Sequence, residues 1–104
     1  NHGDAVILGM IIASDLSYKK KLLTRKDLLS IKKHYNNLKL LINIKKIFKK
    51  SEINKIVYFM KKDKKNVDEK INLILLKKIG KTTRPKQIAL KDNEIKKFLT
   101  SYYI

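Results

Sequence analysis

Residues 5–13 form an uninterrupted run of apolar side chains and glycine, with the sequence AVILGMIIA. The apolar positions are not confined to one helical stripe, and a helix that is apolar on every side is usually packed on every side. We therefore predict a central buried helix from residue 3 to about residue 20. Gly9, inside the run, predicts a close contact with a neighbouring helix because it lets another backbone approach.

His2 is the first candidate for chemistry, and Gly3 and Asp4, which follow it at the entrance of this helix, fit a helix start. Asp4 suits the positive end of the helix dipole, which also disfavours protonation of a nearby imidazole. A neutral imidazole is the form that binds a metal. From the residues alone, a cap, a core residue or a surface residue is the commoner role of such a histidine, since a catalytic zinc site needs three protein ligands. The other histidine, His34, lies in a separate basic segment and is assigned no function.

The formal charge of +17 is the most conspicuous feature of the composition. Such a charge is typical of proteins that bind nucleic acid or an anionic surface. However, 24 of the 26 basic residues are lysine, whereas readout of base edges favours arginine. The lysines are also spread along every segment, and lysine, isoleucine and asparagine are residues that A- and T-rich codons specify. We therefore attribute the charge to nucleotide bias and do not expect a nucleic-acid partner.

Other features of the composition limit the class of protein. The chain has 104 residues, enough for one modest domain, and no cysteine, which fits a cytoplasmic location. No apolar run reaches the roughly 20 residues that cross a bilayer. No glycine-rich turn of the kind that seats a dinucleotide is present, so an NAD site is not expected within this chain.

Three further helices are predicted from caps and apolar spacing. Thr24, followed by Asp27, is a capping signal for a second helix that ends at residues 36–37. Ser51 is a good N-cap for a third helix that runs to about residue 62, and Asp92 for a last helix. Residues 38–48 are expected to form a loop or a short helix. The apolar residues expected on one side of each helix are Leu28, Leu29, Ile31 and Tyr35, then Ile53, Ile56, Val57 and Met60, and finally Ile95, Phe98, Leu99 and Tyr102.

A strand is predicted where β-branched and apolar residues alternate, at residues 71–76. Gly80 then permits a turn, and residues 81–88 are expected to return as a second strand that Pro85 confines to a sheet edge. The predicted fold class is therefore mainly α with a small β-hairpin.

Three segments of the chain resemble one enzyme family. Residues 2–10, HGDAVILGM, resemble the HGEAVxxGM segment of 3-dehydroquinate synthases, the sugar-phosphate cyclases of the shikimate pathway. Residues 22–24, LLT, follow this segment at a distance along the chain that is plausible for the family. Residues 60–66, MKKDKKN, and residues 70–81, KINLILLKKIGK, are similar to the family's MKxDKK and KIxFVLLxxIGK segments. The matches occur in the family's order and span most of the chain.

The resemblance implies a specific activity and specific site residues. Members convert 3-deoxy-D-arabino-heptulosonate 7-phosphate to 3-dehydroquinate and phosphate, as carbon–oxygen lyases that use NAD and Zn2+ or Co2+. The family's metal-binding histidine falls on His2, the other two ligands being upstream. The substrate-binding lysine of its DKK motif falls on Lys64, at the end of the predicted third helix, where Asp63 would hold it. The resemblance also implies a homodimeric parent enzyme.

The resemblance also sets the expected domain organisation. The chain begins with Asn, on a motif that the family places well into its sequence. We therefore interpret residues 1–104 as the C-terminal, helical metal- and substrate-binding domain of a two-domain enzyme, without its N-terminal NAD-binding domain. Such a fragment is not expected to be active alone.

Two departures from the family pattern leave alternatives open. Asp4 stands where the family usually has Glu, and residues 36–39, NNLK, stand where it has Gly-Leu-Pro. These departures affect any role for the Asp4 carboxylate and the shape of the turn after the second helix. Two alternative functions remain: a sister cyclase that acts on another sugar phosphate, and a basic helical nucleic-acid-binding module. No role is assigned to Lys65 or Lys81.

Overall fold

The computed structural model describes residues 2–62, 70–84 and 87–104, with the backbone alone for His2. It is mainly helical, as predicted, and its strands form two short antiparallel ladders. In chain order the elements are α1 (His2–Lys19), α2 (Arg25–Asn37), two 3-10 turns (Ile44–Lys46 and Lys50–Glu52), α3 (Ile53–Lys61), β1 (Lys70–Leu73), β2 (Leu76–Lys78), β3 (Lys81–Thr82), β4 (Ile88–Lys91), α4 (Asp92–Thr100) and a last 3-10 turn (Ser101–Tyr103).

The chain divides into two compact units. The first comprises residues 1–43 and 74–83, so that it holds α1, α2 and the β2–β3 hairpin. The second comprises residues 44–73 and 84–104, and holds α3, α4 and the β1–β4 ladder. None of the helices within the described ranges is long and apolar enough to cross a membrane.

The turn between the first two helices is fixed by local hydrogen bonds. The N–H groups of Leu22 and Leu23 both donate to the carbonyl oxygen of Ser17, at 2.9 and 3.2 Å. The Asp27 N–H then donates to the Thr24 side-chain oxygen at 3.1 Å, which confirms the predicted cap of α2. The helix ends at Asn37, where the sequence predicted a stop.

A buried hydroxyl anchors the hairpin to α1 in the first unit. The Ser17 side chain is fully buried; it donates to the Ala13 carbonyl oxygen at 2.6 Å and accepts from the Leu76 N–H at 2.9 Å. Leu76 is the first residue of β2. A single serine therefore holds the start of the hairpin against the helix.

We expect Ser17→Ala to lower the free energy of unfolding by about 1–3 kcal/mol, because the substitution leaves the Leu76 N–H without its acceptor. Denaturant unfolding monitored by circular dichroism measures the change. Ser30→Ala, at an exposed position of α2, is the control and should stay within about 0.5 kcal/mol of the parent. Equal stability of the Ser17 variant would contradict the anchoring role.

The predicted β-hairpin with Gly80 at its turn is confirmed, but its strands are shorter than the predicted residues 71–76 and 81–88. The first predicted strand breaks after Leu73: β1 pairs with β4, whereas β2 pairs with β3. Gly80, at a φ of 80°, allows the tight turn that pairs β2 with β3. Thr83, just beyond β3, is buried and forms two hydrogen bonds with Leu75. Its N–H donates to the Leu75 carbonyl oxygen at 2.8 Å, and its side-chain oxygen accepts from the Leu75 N–H at 2.9 Å. The return strand to β1 therefore begins only at Ile88. Pro85 lies outside the described residues.

The second unit is built around apolar side chains from two helices and two strands. β1 and β4 pair in register, with Ile71 opposite Leu90. The helices α3 and α4 contact each other, and α4 also contacts β4. The buried apolar residues of these elements are Ile53, Val57, Ile71, Leu90, Ile95, Phe98 and Leu99. The predicted apolar stripes of α3 and α4 are thus confirmed at their central positions.

Two predicted caps in this unit differ from the observed helix starts. Ser51 lies within the 3-10 turn Lys50–Glu52, so α3 begins only at Ile53. Glu52 folds back instead, and its side-chain oxygen accepts from the Lys49 N–H at 2.8 Å. At α4 the N-cap position belongs to Lys91, and Asp92 is the first helical residue, whose carboxylate accepts from the Asn93 N–H. The acidic residues still lie at the positive end of each helix, where the dipole favours them.

Tyr103, near the end of the chain, links two distant segments of the second unit by a hydrogen bond. Its hydroxyl donates to the Phe48 carbonyl oxygen at 2.8 Å. Burial, and secondarily the negative charge of Glu52, raise the pKa of Tyr103 above its usual value of 10.0. The folded protein therefore favours the neutral phenol, which is the form that can donate this hydrogen bond.

The raised pKa of Tyr103 predicts a loss of stability in base. Because the pKa is higher in the folded state than in the unfolded state, the contribution is fully present below about pH 10 and is lost as the pH rises through the folded value. We expect the free energy of unfolding to fall more steeply above pH 10 in the parent than in Tyr103→Phe. Urea unfolding at a series of pH values tests this. Parallel curves for the two proteins would refute it.

The expectation that α1 is buried on every side is wrong for the described chain. Leu8, Ile11 and Leu16 are buried, but Val6 and Met10 are 50% and 51% exposed. Gly9 is also exposed, and nothing lies within 4 Å of the position that a Cβ atom would take there, so the predicted close helix contact is absent from the described residues. On α2, Leu29 is 52% exposed although it was expected with Leu28 on the packed side. The apolar character of these residues therefore did not predict which of their side chains are buried and which are exposed.

Candidate functional site

The candidate metal ligand His2 is the first residue of α1. The structure describes its backbone only, so the position of its imidazole stays a prediction. Asp4 follows in the first turn, where it is half-buried. The helix begins one residue before the predicted start, so the backbone of His2 lies in the first turn of α1, at the positive end of the helix dipole.

The second candidate, Lys64, and its neighbours Asp63 and Lys65 lie outside the described residues. The structure does describe the helix that leads to them. α3 ends at Lys61, and the N–H of Lys62 bonds back to carbonyl oxygens of the last turn. The helix thus stops one residue before the predicted bound. A common cleft for His2 and Lys64 stays a prediction.

Several other charged or aromatic side chains of the described residues have structural partners. Asp15, on α1, forms an ion pair with Lys32 of α2 at 2.7 Å. Lys61, at the end of α3, lies 3.6 Å from the Asp92 carboxylate. His34 is exposed on α2, with its ring edge-on to that of Tyr35. These contacts explain the side chains without a ligand.

The described side chains do not form a metal site by themselves. Within residues 2–62, 70–84 and 87–104, no group of three His, Cys, Asp or Glu side chains is placed to hold a metal ion. A zinc site with three protein ligands would therefore need donors other than those described here, in addition to His2. The family resemblance implies that the other two ligands lie upstream of His2, outside this chain.

Positive charge is distributed over the surface of both units. Lysines occur on each of the four α-helices and on each of the four strands of the described chain, and most are exposed. Lys81, the last lysine of the family-like segment, is exposed on β3. The positive charge is therefore not concentrated on a single helix or strand. A nucleic-acid-binding module would be expected to concentrate its lysines and arginines on one face.

Comparison with known protein families decides the classification. Residues 1–66, well over half of the chain, match the family described as 3-dehydroquinate synthase C-terminal. The chain belongs to this family. The match covers the first three helices, including the segment of His2, and extends through the positions of Lys64 and Lys65.

Curated relatives agree with the family assignment. A 3-dehydroquinate synthase of Pelagibacter ubique is 48% identical over 80 residues, covering 77% of this chain and 22% of that protein. The enzyme of Coxiella burnetii is 34% identical over 98 residues, covering 94% of the chain and 26% of that protein, and that of Zymomonas mobilis is 32% identical over 100 residues. The chain thus spans about a quarter of the length of these relatives, and it corresponds to a C-terminal portion. No solved structure matches the chain.

Proposed function

We propose that this chain forms part of the active site of a 3-dehydroquinate synthase. The reaction is the conversion of 3-deoxy-D-arabino-heptulosonate 7-phosphate to 3-dehydroquinate and phosphate, in the shikimate pathway that leads to chorismate and the aromatic amino acids. The observation that carries the proposal is the family match over residues 1–66, supported by 48% identity to a named 3-dehydroquinate synthase. The family match spans the positions of both candidate site residues, His2 and Lys64.

In this proposal His2 supplies one of three protein ligands to a zinc ion. Its position at the start of α1 suits a neutral imidazole, which is the coordinating form. The chemistry that a bound zinc ion supplies is polarisation of substrate oxygens, and NAD supplies reversible hydride acceptance. The remaining ligands and the NAD site belong to parts of the parent polypeptide beyond this chain.

Lys64 binds the substrate in this proposal. An ammonium group is a compact point charge that attracts a carboxylate or a phosphate, and it would hold the anionic substrate in a reactive position. The surrounding lysines would add a positive field that draws the same anion towards the protein. The charge of +17 then assists encounter with the substrate, without a polyanionic partner.

The proposal is tested in a full-length chimera, in which this chain replaces the matching segment of the Pelagibacter ubique enzyme. We expect the purified chimera to release phosphate from 3-deoxy-D-arabino-heptulosonate 7-phosphate and to form 3-dehydroquinate, with a requirement for NAD and a divalent metal. A folded, metal-loaded chimera that turns over a different sugar phosphate would support a sister cyclase instead. Absence of any turnover in such a chimera would contradict the proposed function.

Replacement of Lys64 by alanine in the chimera should raise KM by roughly tenfold to a hundredfold, because one charge-assisted contact to the substrate is worth about 1.5–3 kcal/mol. Zinc content should not change. Lys62→Ala is the matched control, since Lys62 is an exposed lysine just after α3 and is assigned no role. Steady-state kinetics and metal analysis of both variants provide the measurement. Unchanged kinetics for Lys64→Ala would remove the assignment.

A further inference from the structure

Three backbone positions within residues 2–62, 70–84 and 87–104 have a φ in the left-handed region, and only one of them is glycine. Gly80, at 80°, lies in the turn between β2 and β3. The other two are lysines, Lys21 at 62° and Lys39 at 59°. The left-handed region is disfavoured for a residue with a Cβ atom, because that atom comes too close to the following carbonyl oxygen. Both lysines therefore adopt a conformation that suits glycine better.

Lys21 lies in the turn that ends α1. Its N–H donates to the Tyr18 carbonyl oxygen at 2.9 Å, and the Leu22 N–H donates to the Ser17 carbonyl oxygen at 2.9 Å. This pair of hydrogen bonds is the Schellman motif, in which the residue just past the helix takes a left-handed conformation. The motif ends α1 shortly before Thr24, which caps α2. The conformation of Lys21 is thus set by the way in which α1 ends.

Lys39 lies in an equivalent turn at the end of α2. Its N–H donates to the Asn36 carbonyl oxygen at 3.0 Å, and the Leu40 N–H donates to the Tyr35 carbonyl oxygen at 2.8 Å. The spacing of donors and acceptors along the chain is the same as at the end of α1. Both α-helices of the first unit therefore end in a Schellman motif, and in both motifs the left-handed position holds a lysine.

Glycine is the usual residue at the left-handed position of this motif, since it has no Cβ atom. A lysine has one compensating contribution there, because a cation near the end of a helix interacts favourably with the helix dipole. Lys21 and Lys39 are both exposed, and the dipole contribution is small where solvent screens the charge. The steric conflict, in contrast, acts on the backbone itself. The conformational cost is therefore the larger of the two effects.

The composition of the chain is consistent with a replacement of glycine by lysine. Only three of the 104 residues are glycine, whereas 24 are lysine. Glycine codons are rich in guanine and lysine codons are rich in adenine. The nucleotide bias to which we attribute the charge of the chain would therefore also favour lysine at positions where the backbone favours glycine.

We propose that Lys21 and Lys39 occupy positions whose backbone conformation favours glycine, and that each lysine strains a helix end and lowers the stability of the first unit. This inference goes beyond the proposed function and does not depend on it, because it concerns hydrogen bonds and backbone angles within residues 1–43. In most of a folded chain, a change of lysine to glycine is destabilising. At these two positions we expect it to be stabilising.

Thermal unfolding of the chimera tests this sign. Lys21→Gly and Lys39→Gly should each raise the midpoint by about 2–4 °C. The double variant should show roughly the sum, because the hydrogen bonds of the two turns involve different residues. Lys21→Asn should give a smaller rise than Lys21→Gly, since asparagine enters the left-handed region more easily than lysine but less easily than glycine.

Hydrogen exchange followed by mass spectrometry reports on the first unit separately from the rest of the chimera. The slowest amides of residues 17–40 should exchange about threefold more slowly in the double glycine variant than in the parent. Equal exchange rates in the two proteins would contradict relief of strain at the helix ends. Neither measurement needs turnover, so an inactive chimera that folds still tests the proposal.

Two variants serve as matched controls. Lys21→Ala removes the same charge as Lys21→Gly but keeps a Cβ atom, so it should not raise the midpoint. Lys33→Gly removes an exposed lysine from within α2 and should lower the midpoint, because glycine disfavours a helix. An unchanged or lower midpoint for Lys21→Gly and Lys39→Gly would overturn the proposal. An equal rise for Lys21→Ala and Lys21→Gly would assign the gain to reduced charge repulsion and would also overturn it.

Discussion

Replacement of His2 by alanine in the chimera is expected to weaken zinc binding by at least about a hundredfold and to remove most of the activity. The reason is the small number of protein ligands at a catalytic zinc ion, which is normally three. Loss of a hydrogen-bonding partner outside the ligand shell already costs about 10–100-fold in affinity or activity. Loss of a ligand should cost more, because it removes a bond to the metal itself, and residues 2–62, 70–84 and 87–104 include no group of three His, Cys, Asp or Glu side chains placed to hold a metal ion.

Zinc titration with a competing chelator, together with turnover assays, measures both effects. His34→Ala is the control, because this exposed histidine on α2 is assigned no function. Circular dichroism establishes that both variants keep their helix content. A His2 variant with parental zinc affinity and parental activity would show that the histidine is not a ligand.

A second large effect is expected for Ile71→Ala, which should lower the free energy of unfolding by about 2–5 kcal/mol. Ile71 is 2% exposed, and on β1 it lies opposite Leu90 of β4. Removal of most of its side chain loses buried apolar area and leaves a cavity, and both effects destabilise the second unit. Because small domains have only about 5–15 kcal/mol in total, the loss is a large share.

Ile74→Ala provides the control for the core substitution. Ile74 is the same residue type three positions later, but it is 56% exposed, so its truncation should change stability by no more than about 0.5 kcal/mol. Guanidinium unfolding of both variants measures the difference. Equal losses for Ile71→Ala and Ile74→Ala would contradict the assignment of Ile71 to the core.

Local signals predicted the helices well. Thr24 and Asp27 formed the expected cap, and α2 stopped at the asparagines that favour a turn. The apolar spacing of α3 and α4 identified Val57, Ile95 and Leu99 as core residues. These features depend on contacts between residues close in sequence, which is why a single sequence suffices to find them.

Features that depend on distant contacts were predicted less well. The hairpin around Gly80 was predicted, but the bounds of its strands were not. The pairing of β1 with β4 joins residues about twenty positions apart, and the Leu75–Thr83 hydrogen bonds separate that pair from the β2–β3 hairpin. The anchoring role of Ser17 depends on Leu76, far along the chain, and carried no local signal. The exposure of Val6 and Met10 likewise depends on which distant residues pack against α1, and not on their own hydrophobicity.

The candidate site depended on family resemblance more than on physical pattern. A histidine before an apolar helix is a weak signal by itself, and Lys64 is one of many lysines. The order of the matching segments made both residues specific candidates. The family match over residues 1–66 then supported the assignment of the chain, while the roles of the two residues remain proposals.

The most direct test of the central claim is the visible absorption spectrum of the chimera loaded with Co2+, because this spectrum reports the number and type of ligands at the metal. If His2 coordinates the metal, His2→Ala changes the band positions and intensities because one imidazole is lost, and His34→Ala leaves the spectrum unchanged. Identical spectra for the parent chimera and the His2→Ala variant would contradict coordination of the metal by the histidine at the start of α1.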